Sequence, residues 1–435
     1  MQYRIEGLVD FLKASVSTFH AVDSICAILK ENGFTALHES ACWQIKPGGK
    51  YYVTRNLSSV IAFTVPECGF APVRGVASHS DSPCFRVKQH AELEAAGKYV
   101  LINTERYGGM IMNTWMDRPL SVAGRVLAKT EKGMETKLFS IDKDLLLIPN
   151  LAIHMNREMN DSNKLNAQVD MMPLCGDMSA KGKLENAVAE AAGVKAEDVV
   201  GSDIFLYNRM QPSIWGSDDC YISAARLDDL ECAYTSLCGF IAAEGAKHIN
   251  MCCVFDNEEV GSGTRQGADS TFMADVIERI ADCLGASKEE MRAALASSFL
   301  VSADNAHAAH PNHLEKADAK NRPFMNEGVV IKFSANQKYT TDGVSHAIFA
   351  DICKQAGVPV QYFANRSDSL GGSTLGNISG SHVSIPTVDI GLAQLAMHSS
   401  YETAGTKDAE YMAKALQAYY EAEFTMTDDG VYEFT

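Results

Sequence analysis

Residues 249–262 read INMCCVFDNEEVGS, a mostly apolar run of seven residues followed by two adjacent glutamates and a glycine turn. The apolar run is typical of a buried strand, and the turn residues mark its end. Charged side chains at the end of a core strand are unfavourable in free energy unless they are paired or bound to a metal. We therefore expect Glu258 and Glu259 to belong to a functional site at the carboxyl end of this strand.

Further side chains of the metal-ligand type occur at similar places. Three of them follow predicted strands and one lies near the start of a predicted helix; they are His79, Asp304, His398 and Asp228. Sites in open α/β sheets gather in the crevice beyond the carboxyl ends of the strands. The fold can therefore bring these side chains together despite their wide separation in the chain.

The charge balance narrows the possible partners. The chain has 435 residues, with 38 Lys and Arg against 55 Asp and Glu and a formal net charge of −17. This charge argues against a nucleic-acid or anionic-membrane partner, because both need a positive field. Residues 1–14 lack the apolar core of a signal peptide, and no apolar run approaches the ~20 residues that span a bilayer. We expect a cytoplasmic protein without a disulfide framework.

The pattern along the chain predicts an α/β protein with an insertion. Residues 5–32 have helical apolar spacing, and strands alternate with helices after residue 220, which implies a sheet with helices on both faces. The character of the chain changes between residues 88 and 215. We therefore expect a discontinuous domain of residues 1–87 and 216–435, interrupted by an inserted domain of residues 88–215.

The ligand set favours a pair of divalent metal ions. Two histidines with several carboxylates suit zinc or cobalt better than magnesium, which prefers oxygen. Two such ions hold a water whose pKa falls to roughly 7, and a spare carboxylate is then needed as the general base. The Glu258–Glu259 pair supplies a ligand and a base, although adjacency does not say which is which. Asp81, two residues after His79, is placed to orient that imidazole.

A set of motifs then makes the chain resemble the M18 metalloaminopeptidases, specifically the aspartyl aminopeptidase group. The motifs run in order across almost the whole chain: SHSDSPC (78–84), WMDRPL (115–120), IPNLAIH (148–154), RLDDL (226–230), DNEEVGS (256–262), SADNAH (302–307), HPN (310–312) and AMHS (396–399). The resemblance implies a mixed sheet of the dinuclear zinc-peptidase type that carries a β-rich dimerisation domain. It also implies assembly of dimers into a dodecamer.

The resemblance also implies a role for each site residue. Asp228 would bridge the two metal ions, which are most simply zinc, with cobalt or manganese as alternatives. His79 and Asp304 would complete one metal site, and Glu259 and His398 the other.

Outside the ligand set, Glu258 would be the general base, and His154 of a neighbouring subunit would stabilise the oxyanion. His307 would contact the substrate. Lys332 would pair with an acidic side chain at the first residue of a peptide, so the implied reaction is removal of N-terminal residues, preferably Asp or Glu.

Several alternatives stay open on the residues alone. In a strand with Val329, Ile331 and Phe333 facing inward, Lys332 falls on the outer face, where it would be solvated. His154 follows an apolar run and could simply cap its packing. The same chemistry with a neutral or broad N-terminal preference is one alternative function. A self-assembling shell protein with a vestigial site is another.

Overall fold

The computed structural model describes residues 2–369 and 371–434. In chain order the helices are α1 (Ile5–Ala14), α2 (Thr18–Glu31), α3 (Lys183–Ala191), α4 (Leu227–Ala242), α5 (Phe272–Cys283), α6 (Lys288–Ala296), α7 (Gly343–Gln355), α8 (Leu375–Ser379) and α9 (Thr406–Glu421). The strands are β1 (Thr35–Leu37), β2 (Lys50–Arg55), β3 (Ser59–Thr64), β4 (Val73–His79), β5 (Cys84–Ala95), β6 (Tyr99–Tyr107), β7 (Leu120–Thr130), β8 (Gly133–Ser140), β9 (Leu174–Asp177), β10 (Val199–Asn208), β11 (Ser213–Trp215), β12 (Tyr221–Ala224), β13 (Ile249–Phe255), β14 (Phe299–Ala303), β15 (Ala306–His307), β16 (Val329–Phe333), β17 (Val360–Ala364), β18 (Thr387–Gly391), β19 (Ala393–Leu395), β20 (Glu402–Gly405), β21 (Phe424–Asp428) and β22 (Val431–Phe434).

The largest sheet has four parallel strands at its centre. Its order is β1-β2-β3-β13-β4-β14-β18-β16-β17, and the pairs β13–β4, β4–β14 and β14–β18 are parallel. Every residue of these four strands is buried, as expected for strands covered on both faces. The antiparallel pairs β3–β13 and β16–β18 flank them, so the sheet is mixed.

Helices cover both faces of this sheet, and successive residues of a strand point into different cores. In β4, Val76 belongs to the cluster that packs against α1, α2, α4, α7 and α9, whereas Ala77 belongs to the cluster that packs against α5 and α8. The two clusters explain why apolar residues occur in continuous runs rather than in alternation. The predicted α/β class with a mixed sheet is confirmed.

The middle of the chain forms a second sheet of its own. The order is β8-β7-β10-β5-β6-β9, and Phe85, Val122 and Phe139 contribute to a separate apolar cluster. This sheet begins at Cys84 and ends at Asn208, while β11 already pairs with β12 in a third sheet of order β11-β12-β20-β19-β15. Its first strand thus begins four residues before the predicted start of the insertion, and its last strand ends seven residues before the predicted end. The division into domains stays a prediction.

The helix expected over residues 5–32 is instead two helices. α1 ends before Ser15, and Ser17 takes an extended conformation at the start of α2, with its hydroxyl 2.8 Å from Nδ1 of His20. The side chain of Arg226 donates to the carbonyl groups of Leu12 and Ser15, which satisfies carbonyls at the end of α1. The apolar spacing continues through this break, which is why the pattern suggested one helix. Among the described residues no helix is both long and apolar enough to cross a membrane.

Gly391, at the end of β18, allows the chain after β14 to pass at close range. A Cβ atom at this position would lie 2.0 Å from the carbonyl oxygen of Asp304. We expect Gly391→Ala to displace the Asp304 backbone, to destabilise the fold by about 1–3 kcal/mol and to lower metal content. Thermal melting and metal analysis would check this. Gly343→Ala is the matched control, because its Cβ would meet nothing within 4 Å; equal melting of both variants would contradict the prediction.

Candidate metal centre

The carboxyl ends of the central strands place the predicted ligands at one edge of the sheet. β4 ends at His79, which lies beside Phe255, the last residue of β13. The short 3-10 turn Glu258–Val260 follows β13, and Asp304 directly follows β14. Parallel neighbours in register therefore bring these segments together.

Asp228 lies between the two histidines. Its Oδ1 atom is 3.5 Å from Nε2 of His79, and its Oδ2 atom is 3.5 Å from Nε2 of His398. On one side, Asp304 Oδ1 lies 4.0 Å from Nε2 of His79; on the other, Glu259 Oε2 lies 3.4 Å from Nε2 of His398. Two ligand atoms about 2.1 Å from one tetrahedral ion are separated by roughly 3.4 Å, so these spacings fit ligands that share an ion.

Both imidazoles are held by the nitrogen that faces away from Asp228. His79 Nδ1 is 3.0 Å from the carbonyl oxygen of Asp81, and His398 Nδ1 is 2.6 Å from that of Gly109. A carbonyl oxygen can only accept, so each Nδ1 carries the proton. Each Nε2 lone pair is then free for a cation, which is the usual arrangement of metal-binding histidine.

Buried carboxylates crowd the same space. Burial raises the pKa of Glu258 to about 8 and that of Glu259 well above its ordinary value. Burial acts against the Asp228 carboxylate too, but the adjacent imidazoles of His398 and His79 outweigh it and lower the pKa of Asp228. Asp228 Oδ1 and Glu259 Oε1 have no hydrogen-bond partner among residues 2–369 and 371–434. Buried acceptors of this kind need a cation, so the donor set fits divalent metal ions.

Asp81 organises the turn that carries both glutamates. Its carboxylate accepts the backbone N–H of Glu258 at 3.1 Å and that of Glu259 at 3.2 Å. The closest contact of Asp81 to the His79 ring is through its backbone carbonyl, since the carboxylate oxygen is farther away at 3.3 Å. Asp81 thus contacts the imidazole through its main chain, and its carboxylate positions the glutamate turn.

Two further buried carboxylates were missed by the sequence analysis. Glu402 accepts the backbone N–H of Asp228 at 3.0 Å and that of His398 at 2.7 Å, one with each oxygen. Asp229, joined to Asp228 by a cis peptide bond, accepts the N–H of His79 at 3.1 Å. Asp229 lies within the RLDDL motif, but nothing in the sequence marks Asp229 or Glu402 as a support of the backbone, because the fold alone brings that backbone near.

The backbone beside the ligands adopts uncommon conformations. Arg226, Asn257 and His398 have φ angles of 63°, 63° and 67°, in the left-handed region that residues other than glycine rarely adopt. Such conformations persist only where the surroundings enforce them, and they cluster at functional sites. Here they aim the side chains of Asp228, Glu258 and His398 into one space.

Lys332 is buried beside Asp304. Its side chain is 2% exposed, so the alternative of a solvated strand lysine is wrong. The ammonium donates to the carbonyl oxygens of Asp304 at 2.7 Å and Asn305 at 3.4 Å, and it lies 5.2 Å from the centre of the Tyr339 ring. Burial opposes its charge, but the Asp304 carboxylate outweighs this and raises the pKa of Lys332 to about 12.

The two remaining predicted histidines occupy different surroundings. His307 ends β15 and packs edge-on against Phe363, and desolvation, which outweighs the opposing effect of the Asp228 carboxylate, lowers the pKa of His307. His154 lies exposed on the segment between β8 and β9 and is outside the ligand groups formed by the described residues. Within this single chain, therefore, His154 is not part of the cluster.

Comparison with known proteins agrees with a divalent-metal site. The family model described as aminopeptidase I zinc metalloprotease (M18) matches residues 11–420. The chain belongs to the M18 family of aminopeptidases. A probable M18 family aminopeptidase 2 from Clostridium acetobutylicum is 46% identical over 422 residues, which cover 95% of this chain and 97% of that protein.

Solved structures of similar proteins share the fold over nearly the whole chain. A chain of the cryo-EM structure of the Ape4 and Nbr1 complex superposes with a TM-score of 0.92 at 32% identity, covering 97% of this chain and 88% of that one. A chain of the S. cerevisiae mApe1 dodecamer has a TM-score of 0.84 at 26% identity, covering 96% of both chains. This M18 protein is accordingly a metal-dependent peptidase that acts on the N-termini of peptides.

Glu402 offers a test of how the site of this M18 aminopeptidase is held. A glutamine at this position presents one acceptor where two backbone N–H groups need acceptors. We expect Glu402→Gln to weaken metal binding about 10- to 100-fold, as measured by metal titration of the stripped protein. Glu410→Gln, an exposed residue of α9, is the control. Equal metal affinity in both variants would show that the Glu402 contacts are dispensable.

Proposed function

We propose that this M18 aminopeptidase is a two-metal enzyme in which Asp228 bridges the ions. The observation that carries the proposal is that the two oxygens of one buried carboxylate each face a different histidine Nε2 atom at 3.5 Å. His79 and Asp304 would hold one ion, and His398 and Glu259 the other. All five proposed ligand positions carry side chains that can bind a metal. No observation therefore favours the alternative of a self-assembling shell protein with a vestigial site.

Glu258 is the proposed general base. A pair of divalent ions, when bound, supplies a water of lowered pKa and polarises the scissile carbonyl. Glu258 lies in the same group of potential ligands as His79 and Glu259 but is not needed to complete either ligand set. Asp81 fixes its backbone, and burial favours its neutral form, so its carboxylate is suited to take a proton and pass it to the leaving amine.

Substitutions of Glu258 and Glu259 distinguish the general base from the metal ligand. We expect Glu258→Gln to reduce kcat at least about 100-fold, the lower end of general-base contributions, while metal content stays unchanged. Glu259→Gln is the matched comparison and should lose metal instead. Turnover of an N-terminal residue from a peptide, together with metal analysis, measures both effects. Metal loss in the Glu258 variant with retention in the Glu259 variant would reverse the two roles.

We also propose that the enzyme prefers Asp or Glu at the N-terminus of the peptide. Lys332 supports this, because a buried cation beside the metal ligands can attract a carboxylate of the substrate. The ammonium already donates to the carbonyls of Asp304 and Asn305, which favours the second candidate, a neutral or broad preference with Lys332 holding the Asp304 turn.

Substrate panels distinguish these two candidates. For the acidic preference, Lys332→Leu should raise KM for Asp- and Glu-anilides about tenfold or more, the value of a charge-assisted hydrogen bond, and change KM for Leu-anilide far less. Lys354→Leu, on the exposed side of α7, is the control. Equal changes in KM for all three substrates would reject the acidic preference and support the structural role of Lys332.

Finally, we propose that the chain assembles from dimers into a dodecamer, with the sheet of β5–β10 as the dimerisation domain. The relative named as a dodecamer supports this, as do exposed apolar side chains around His154, namely Leu151, Ile153 and Met155. In such an assembly His154 would reach the site of the neighbouring subunit and stabilise the oxyanion. A cytoplasmic location stays a prediction.

A further inference from the structure

A tyrosine of the second sheet lies beside the metal centre. Tyr107 is the last residue of β6, and it pairs with Cys84 at the start of β5. Cys84 follows Asp81 by three positions, so the β5–β6 pairing carries Tyr107 next to Asp81. The Tyr107 ring packs edge-on against Phe205 of β10 with 5.8 Å between ring centres, which holds it within the second sheet.

The hydroxyl group of Tyr107 has a fixed direction. It lies 2.8 Å from Nδ2 of Asn257, which donates to it, and it donates in turn to Oδ2 of Asp81 at 2.6 Å. The amide oxygen of Asn257 accepts from Thr264 and Gln266, both at 2.8 Å, so its NH₂ group must face Tyr107. The tyrosine proton is therefore directed at the carboxylate that holds the glutamate turn.

The residues after Tyr107 also contact the metal ligands. A Cβ atom on Gly108 would lie 3.1 Å from Cβ of Glu259, so the backbone packs directly on this ligand. The carbonyl oxygen of Gly109 accepts from His398 Nδ1, and the backbone N–H of Ile111 donates to the carbonyl oxygen of His398 at 3.0 Å. The segment that follows β6 thus touches both ligands proposed for one ion.

We propose that Tyr107 is a positioning residue of the metal centre, an inference that rests on the proposed function. Its hydroxyl group holds the Asp81 carboxylate in the orientation that receives the N–H groups of Glu258 and Glu259. The base and one ligand therefore take their positions partly from the second sheet. This sheet has a role inside its own chain, apart from any contact between subunits.

Tyr107→Phe removes only the hydroxyl group and keeps the ring on Phe205. We expect the metal-stripped variant to bind Co²⁺ about tenfold more weakly, with an altered visible spectrum of the bound cobalt. The reloaded enzyme should show kcat lowered about tenfold and KM within about twofold of wild type. Tyr99→Phe is the control, because Tyr99 begins the same strand and is 53% exposed.

The outcomes separate this inference from the proposed function. A wild-type protein that neither binds two Co²⁺ ions nor hydrolyses peptides would defeat the proposed function itself. With an active wild type, identical cobalt affinity, spectrum and kcat in the Tyr107 and Tyr99 variants would overturn the positioning role. A lower kcat with unchanged cobalt affinity and spectrum would overturn the positioning of the ligand Glu259, because the loss would then arise at the base Glu258 alone.

Discussion

The sharing of the Asp228 carboxylate between two imidazoles is the constraint on which the rest of this structure depends. Asp228, Asp304, Glu258 and Glu259 crowd a space from which water is largely excluded, and removing several carboxylates from water is unfavourable unless cations compensate. The Nε2 atoms at 3.5 Å on either side of Asp228 define two places where a cation can compensate these charges. The remainder of the fold keeps these groups from moving apart.

Rigidity comes first from the central strands. Four parallel strands, buried on both faces, end at the same edge and leave little freedom to the residues that follow them. Carboxylates then hold the loops by their backbone: Asp81 receives the amides of the glutamate turn, and Glu402 receives those of Asp228 and His398. Because these acceptors bind main-chain N–H groups, they set the direction of ligands without occupying a ligand position.

Much of the candidate site was predictable because the proposed ligands follow strands. A long apolar run that ends in His, Asp or Glu points to a strand with a site at its carboxyl end, and this reasoning located His79, Glu258, Glu259 and Asp304. The solvated alternative for Lys332 was wrong because strict alternation presumes one open face. In the structure β16 lies between β17 and β18, and Val330 and Ile331 point into different clusters.

The sequence by itself determined the α/β class and the identity of the ligand-type residues, because local periodicity and residue chemistry are visible in a linear pattern. Only the tertiary structure decided that Glu402 and Tyr107 support the centre and that Lys332 is buried against Asp304. These contacts join residues separated by 26 to 174 positions. Glu402 and Lys332 bind backbone amides and carbonyls, which leave no signature in the sequence because the partner group is the same at almost every position of the chain. Tyr107 meets the side chain of Asp81 only through the pairing of β5 with β6.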